Sequence, residues 1–335
     1  MCHRHASAVI AFSLFIALFC AGSARTTASR SAGGGRPEAG DAHAPAHTKP
    51  VAHAKPVPVT TSRPPSAHHV LTATARRDLT AAVTPLIRDD GGHVAVAVDD
   101  LASGAQAACG GREEFITASI VKVDILATLL YRAQRAGHGL TAQQQALATT
   151  MIEESDNDSA SDLYGEVGGA AGVDAANRAF GLRETTAGAD GYWGLTTTTT
   201  DDQIRLLRQV FSRPSVLWPA SQDYIRDLMS QVEPAQRWGV PAAATPGTGF
   251  RVKNGWLPYP TLWEINSIGE VVHEHQRMLI AVLSDDNASE YAGISVVQET
   301  AAKAAQSMVA TARKKRRVTW PSARVSERQT PAGFA

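Results

Sequence analysis

From residue 73 onward the chain changes its hydrophobic rhythm twice. Ala73 to Ile87 carries apolar residues at Leu79, Val83 and Leu86, a helical spacing. His93 to Asp99 then alternates Val and Ala as a strand does, and Ala105 to Cys109 is placed to pair with it across the turn at Ala102, Ser103 and Gly104. From Ser119 to about Val232 the pattern is helical, with one helix expected over Gln143 to Glu154. Strand patterns return at Phe250–Trp256, Leu262–Ile268 and Arg277–Leu283, and a last helix is expected over Tyr291 to Thr311. Strands at both ends with helices between them predict an α/β architecture of the α+β type. One sheet, built from both chain ends, packs against a helical lobe.

The chain before residue 72 reads differently. His3, Arg4 and His5 lead into Ala8–Leu18, which is apolar apart from Ser13, and Gly22, Ser23 and Ala24 follow. This is the pattern of a signal peptide over residues 1–24, and the apolar run is short for a membrane span. The bulky Phe19 argues against lipid attachment at Cys20. Residues 25–71 are rich in Ala, Pro, Gly, Ser, Thr and His with almost no large apolar side chains, so they are expected to be a disordered linker. The histidines there (His43, His47, His53, His68, His69) are too irregularly spaced for a metal site. Residues 313–335 open on the basic run Arg313–Arg317 and read as a flexible tail with weak affinity for an anionic cell envelope. The folded domain is expected over 72–312, in a secreted or extracytoplasmic protein.

Charge and cysteine content narrow the class. The sequence has 32 Lys and Arg against 32 Asp and Glu, which gives no reason to expect nucleic acid as a partner. Removal of the first segment takes Cys2 and Cys20 with it. Cys109 is then alone, no internal disulfide can form, and the thiol is expected to be buried and structural. His273 and His275 lie between two predicted strands with no third ligand nearby, and read as a turn-exposed pair. Neither a metal nor a cofactor is called for, and the domain is expected to act as a monomer.

Three short motifs carry candidate chemistry. Ser119-Ile120-Val121-Lys122 opens an apolar helix, and one turn separates the hydroxyl from the amine, so both lie on one face. A Ser hydroxyl is a weak nucleophile until a neighbouring base takes its proton, and a partly neutral amine can do so. The helix N-terminus adds N–H groups suited to a developing oxyanion. Ser155-Asp156-Asn157 follows a predicted helix and offers a hydroxyl for proton transfer and an amide for a substrate carbonyl. Lys253-Asn254-Gly255 lies on a predicted strand, with an amine for a substrate carboxylate and a glycine that permits close approach. Taken singly, each reads as readily as a helix cap, a surface lysine or a turn.

Their order resembles the S-x-x-K, S-D-N and K-T-G set of class A β-lactamases and penicillin-binding proteins. The likeness extends to MIEESDNDSA (Met151–Ala160), VGGAAGVDAANRAFGL (Val167–Leu182), the Thr run at Thr196–Thr200 and MLIAVLS (Met278–Ser284). The resemblance implies a β-lactamase/transpeptidase-like fold and a serine hydrolase that forms an acyl-enzyme. It implies Ser119 as nucleophile, Lys122 as base or relay, Ser155 as proton donor to the leaving nitrogen, and Lys253 as the carboxylate-binding amine. Asn157, Asn254, Gly255 and Trp256 would contact the substrate, with the N–H groups of Ser119 and Trp256 forming the oxyanion hole. Asp156 would be structural. The substrate would be a small β-lactam or a peptidoglycan-like acyl compound. A D-alanyl-D-alanine peptidase, an esterase and an acyl-trapping sensor protein remain open.

The sequence departs from that family in three places. Asn254, still able to hydrogen-bond a carboxylate, stands where the family has Thr, and Trp256 is bulky at the rim where a small residue is usual; Tyr192, Trp193 and Trp256 read equally as cleft lining and as core packing. Ser119 and Ser155 stand closer in the chain than in class A enzymes, which predicts a more open cleft. The deacylating Glu is not evident. Arg183–Leu195 (RETTAGADGYWGL) holds only Glu184, which lies too early, and Asp190 is the remaining substitute.

Overall fold

The structure is a computed structural model that describes residues 67–90 and 93–319. The signal-peptide reading, most of the linker and the end of the tail lie outside the described residues.

Helix α1 (Ala67–Asp90) leads into β1 (His93–Asp100) and β2 (Ala105–Cys109), and the two-residue β3 (Phe115–Ile116) follows. The lobe then comprises α2 (Val121–Ala136), α3 (Ala142–Glu153), α4 (Asn157–Glu166) and α5 (Gly169–Phe180). After a long loop come β4 (Thr197–Thr198), α6 (Thr200–Phe211) and α7 (Pro219–Ser230). The chain closes with β5 (Phe250–Pro258), β6 (Trp263–His273), β7 (Gln276–Asn287) and α8 (Glu290–Thr319). Helix α1 therefore begins inside the span read as linker, and α8 continues into the span read as tail.

The main sheet has the order β2-β1-β7-β6-β5, antiparallel throughout. Strands from both ends of the domain thus share one sheet, as the strand–helix–strand pattern predicted. Helices cover both faces. Leu279, Ala281 and Leu283 of β7 join the core shared with α2 to α7, while Met278, Ile280 and Val282 join the core shared with α1 and α8. A strand covered on both sides needs apolar residues at every position, which explains the unbroken run in β7. The β6–β7 connection is a tight hairpin turn with Glu274 and His275 both at positive φ (45° and 69°). Cys109 is half-buried and free, more open than the buried thiol expected from sequence, because β2 is an edge strand.

Candidate active site

Three elements fix the position of Ser119. β3 pairs with β4 through Phe115 and Thr198, and through Ile116 and Thr197. From β6, Asn266 Nδ2 donates to the carbonyls of Ile116 (2.9 Å) and Thr117 (3.1 Å), and its Oδ1 accepts from Ser284 N at 3.2 Å. Ala118 then takes φ 46°, a left-handed conformation that costs about 1–3 kcal/mol in a residue with a Cβ and persists only where surroundings enforce it. Ser119 is half-buried on the 3₁₀ turn Ala118–Ile120, one step before α2 instead of inside it. Lys122 follows in the first turn of α2 and is completely buried.

Helix α3 delivers the second motif. It starts at a reciprocal cap in which Thr141 Oγ1 accepts from Gln144 N and Gln144 Oε1 accepts from Thr141 N. Past its C-terminus, Ser155 adopts φ 60°, and Asp156 caps α4 by accepting from Ser159 N at 2.7 Å. This tight reversal between two helices aims Ser155 and Asn157 back at α2. Lys122 Nζ lies 2.6 Å from Ser155 O, 3.2 Å from Ser155 Oγ and 2.8 Å from Asn157 Oδ1. From the sheet side, buried Lys253 of β5 donates through Nζ to Ser155 Oγ at 2.9 Å and to Asn254 O at 3.1 Å. Lys122, Ser155, Asn157 and Lys253 thus meet in one place.

Neither amine has a carboxylate partner among the described residues. Burial pushes Lys122 down to about 7, against the opposing charge of Asp156. Lys253 is held well below the ordinary lysine range by its own burial and then by the charge of Lys122, with Glu233 opposing. A neutral amine has two N–H groups and one lone pair. Lys122 can therefore donate to Ser155 O and Asn157 Oδ1 while its lone pair accepts a proton.

Alternation along β5 corrects two expectations. Lys253 and Gly255 share the face turned toward the lobe, while Asn254 and Trp256 share the other face with Val252. Asn254 is fully buried there and gives both amide hydrogens to main-chain carbonyls, Gln236 O at 2.7 Å and Trp238 O at 3.0 Å. Its side chain has no donor left for a substrate carboxylate. The Trp256 indole packs edge-on against Trp238, centroids 5.9 Å apart, and does not form a rim over Ser119. The close approach that Gly255 permits is to the serine turn itself. A Cβ at Gly255 would stand 2.7 Å from both Ser119 N and Thr117 O.

The long loop after α5 brings no acid to the amines. Glu184 pairs with Arg112 at 3.1 Å, and Asp190 is exposed at φ 53°. No hydrogen bond or ion pair joins either to Ser119 or Lys122 among the described residues. Trp193 lies there instead, its ring centroid 4.8 Å from Lys122 Nζ. Asn266 is a site residue outside the three motifs, detectable only as an amide inside an otherwise apolar strand. Trp193 was legible as an aromatic that lines the cleft or packs in the core; its place beside Lys122 was not.

The family described as "Beta-lactamase enzyme family" matches residues 78–146 and 133–308. A Mycobacterium tuberculosis protein named "Putative lipoprotein LppW" is 29% identical over 175 residues, 50% of this chain and 55% of its own length. The chain thus spans about half the length of the curated relatives it matches. Among solved structures, a class A beta-lactamase from Bacteroides cellulosilyticus superposes with TM-score 0.61 at 16% identity, over 72% of this chain and 99% of that one. A mutant of PBP-A in acyl-enzyme complex with penicillin G gives 0.60 at 20%, over 71% and 97%. An ancestral class A beta-lactamase gives 0.60 at 21%, over 68% and 99%. These structures share the fold.

Proposed function

Because this chain belongs to the beta-lactamase enzyme family, we propose that it is a serine hydrolase acylated on Ser119 by β-lactams or related amides. The observation that carries this reading is the convergence of Lys122 and Lys253 on Ser155 Oγ, at 3.2 and 2.9 Å. Two buried amines with no carboxylate partner among the described residues are costly to fold, and such sites are kept where a perturbed amine has a task.

The chemistry runs through these groups. Neutral Lys122 takes the Ser119 Oγ proton as Oγ bonds to the substrate carbonyl carbon. The oxyanion forms near the N–H of Ser119 and the β5 main chain at Trp256. When the carbon–nitrogen bond breaks, the leaving nitrogen takes the Ser155 hydroxyl proton, and Ser155 is reprotonated by Lys122, which returns to its neutral state. Lys253 orients Ser155 by donating to it, and a substrate carboxylate would raise its lowered proton affinity and pair with the resulting cation. Asn157 gives Oδ1 to Lys122 and keeps its NH₂ for a substrate carbonyl. Deacylation repeats the sequence with water, which gives one proton to Lys122, bonds to the acyl carbon, and releases Ser119 as that proton returns to Oγ.

An extracytoplasmic, envelope-associated location fits the relative LppW, named as a lipoprotein, and the apolar N-terminal run. No helix among the described residues is long and apolar enough to cross a membrane. A panel of a penicillin, a D-alanyl-D-alanine peptide and a simple thioester tests the reading. The protein should react with at least one, and Ser119→Ala should lose that reaction by about 10³-fold or more. Equal reaction by the Ala variant would refute it.

A further inference from the structure

The loop between α5 and β4 is tied down at several points, and those ties hold Trp193. Thr117 N donates to Thr196 O at 2.8 Å, which fixes the loop's end to the residue two before Ser119. Tyr164 Oη donates to Gly188 O at 2.6 Å, and Gly188 N donates to Thr196 Oγ1 at 3.0 Å. Thr196 Oγ1 in turn donates to Trp193 O at 2.7 Å. The indole is tethered as well, its Nε1–H donating to Ser161 Oγ at 3.1 Å, and Ser161 Oγ donates to Asn157 O at 2.9 Å. The helix that presents Asn157 to Lys122 therefore also holds the aromatic ring above Lys122.

We propose that Trp193 is a positioning residue whose indole closes the loop side of Lys122 against water and so slows the release of an acyl group from Ser119. The inference rests on the reading of Ser119 as the acylated residue. Its independent basis is the placement of an apolar ring, centroid 4.8 Å from Nζ, with no loop carboxylate bonded to the amine. Water attack on an acyl-serine needs a base beside the water, and loss of a positioned base typically slows such a step by about 10² to 10⁴. With the ring in place, the partners of Lys122 Nζ are Ser155 and Asn157, both from the α3–α4 reversal. The charged groups facing it are Asp156 from that reversal and Lys253 from β5.

The seal also bears on the amine's protonation. A cation lying on an aromatic face is stabilised by it, whereas exclusion of water destabilises the cation. Burial is the first cause of the lowered proton affinity of Lys122, and the ring, with its centroid 4.8 Å from Nζ, is part of what buries it. Removing the ring should therefore admit water and raise the midpoint, while a smaller ring should preserve it.

The test compares wild type, Trp193→Phe and Trp193→Ala, each confirmed folded by thermal melting. Two readouts are taken: the lifetime of the Ser119 adduct with a fluorescent penicillin, and the Lys122 titration followed at 13Cε in lysine-labelled protein. Trp193→Phe should keep both near wild type. Trp193→Ala should shorten the adduct lifetime about tenfold or more and move the Lys122 midpoint up by roughly one pH unit. An Ala variant with unchanged midpoint and lifetime would overturn the seal. A wild type that forms no adduct would count against the acylation reading, while the titration would still decide whether Trp193 shields the amine.

Discussion

Gly255 and Ser119 are in main-chain contact. A Cβ added to Gly255 would lie 2.7 Å from Ser119 N, 2.7 Å from Thr117 O and 2.8 Å from Ile120 N. These are backbone atoms on a turn pinned by Asn266, so they cannot rotate away as a side chain would. The distance between β5 and the serine turn is thereby set by a missing side chain, and the oxyanion site proposed between them depends on it.

Gly255→Ala is therefore expected to be costly beyond the size of one methyl group. Displacing the turn should destabilise the protein by about 1–3 kcal/mol and reduce acylation of Ser119 by at least tenfold. Chemical denaturation and adduct formation read the two effects separately.

Asn266→Ala should act on the same turn from the other side. It removes three hydrogen bonds and leaves the Ile116 and Thr117 carbonyls and the Ser284 N–H without them. A loss of about 1–3 kcal/mol is expected, with acylation slowed through misplacement of Ser119. Asn254→Ala should differ. Its amide bonds the 236–238 segment behind the strand, so stability should fall while acylation of the remaining folded protein changes less than tenfold.

Sequence alone made part of this arrangement legible. The shared sheet followed from strand patterns at both ends, and the convergence of Ser155, Asn157, Lys122 and Lys253 followed from three motifs in order. Which face of β5 each side chain takes was not legible. Adjacent residues in a motif read as one unit, yet in a strand their side chains point apart, so those of Asn254 and Trp256 face away from Lys253 and the lobe. The position of Trp193 depends on hydrogen bonds between its loop and Tyr164 and Ser161 of α4 and Thr117 before α2, and a local pattern carries none of them.

The pH dependence follows from Lys122. The reactive form is the neutral amine, so the acylation rate should rise with pH through a midpoint of about 7 and level off above it. A rate that falls across pH 6–8 would exclude Lys122 as the base.

Stability has a matching sign. Folded Lys122 loses its proton near pH 7, while the unfolded chain holds it until the ordinary value of 10.5. Between those two pH values the unfolded state binds more protons, so this group's contribution rises with pH there, and its penalty is full below pH 7. Lys122→Met should abolish acylation and stabilise the fold, by about 1 kcal/mol or more at pH 6 and by less at pH 9. Melting curves of both proteins at the two pH values give the comparison. A variant less stable than wild type at pH 6 would contradict the assignment of a burial penalty to this amine.

The central claim is that Ser119, with Lys122 as its base and Ser155 as proton donor to the leaving group, accepts an acyl group. Intact-protein mass spectrometry after brief exposure to penicillin, followed by peptide mapping, tests it most directly. The account predicts a single adduct of the penicillin's full mass on the peptide bearing Ser119, absent in Ser119→Ala and strongly reduced in Lys122→Met. An adduct on another residue, or one that survives in Ser119→Ala, would contradict it.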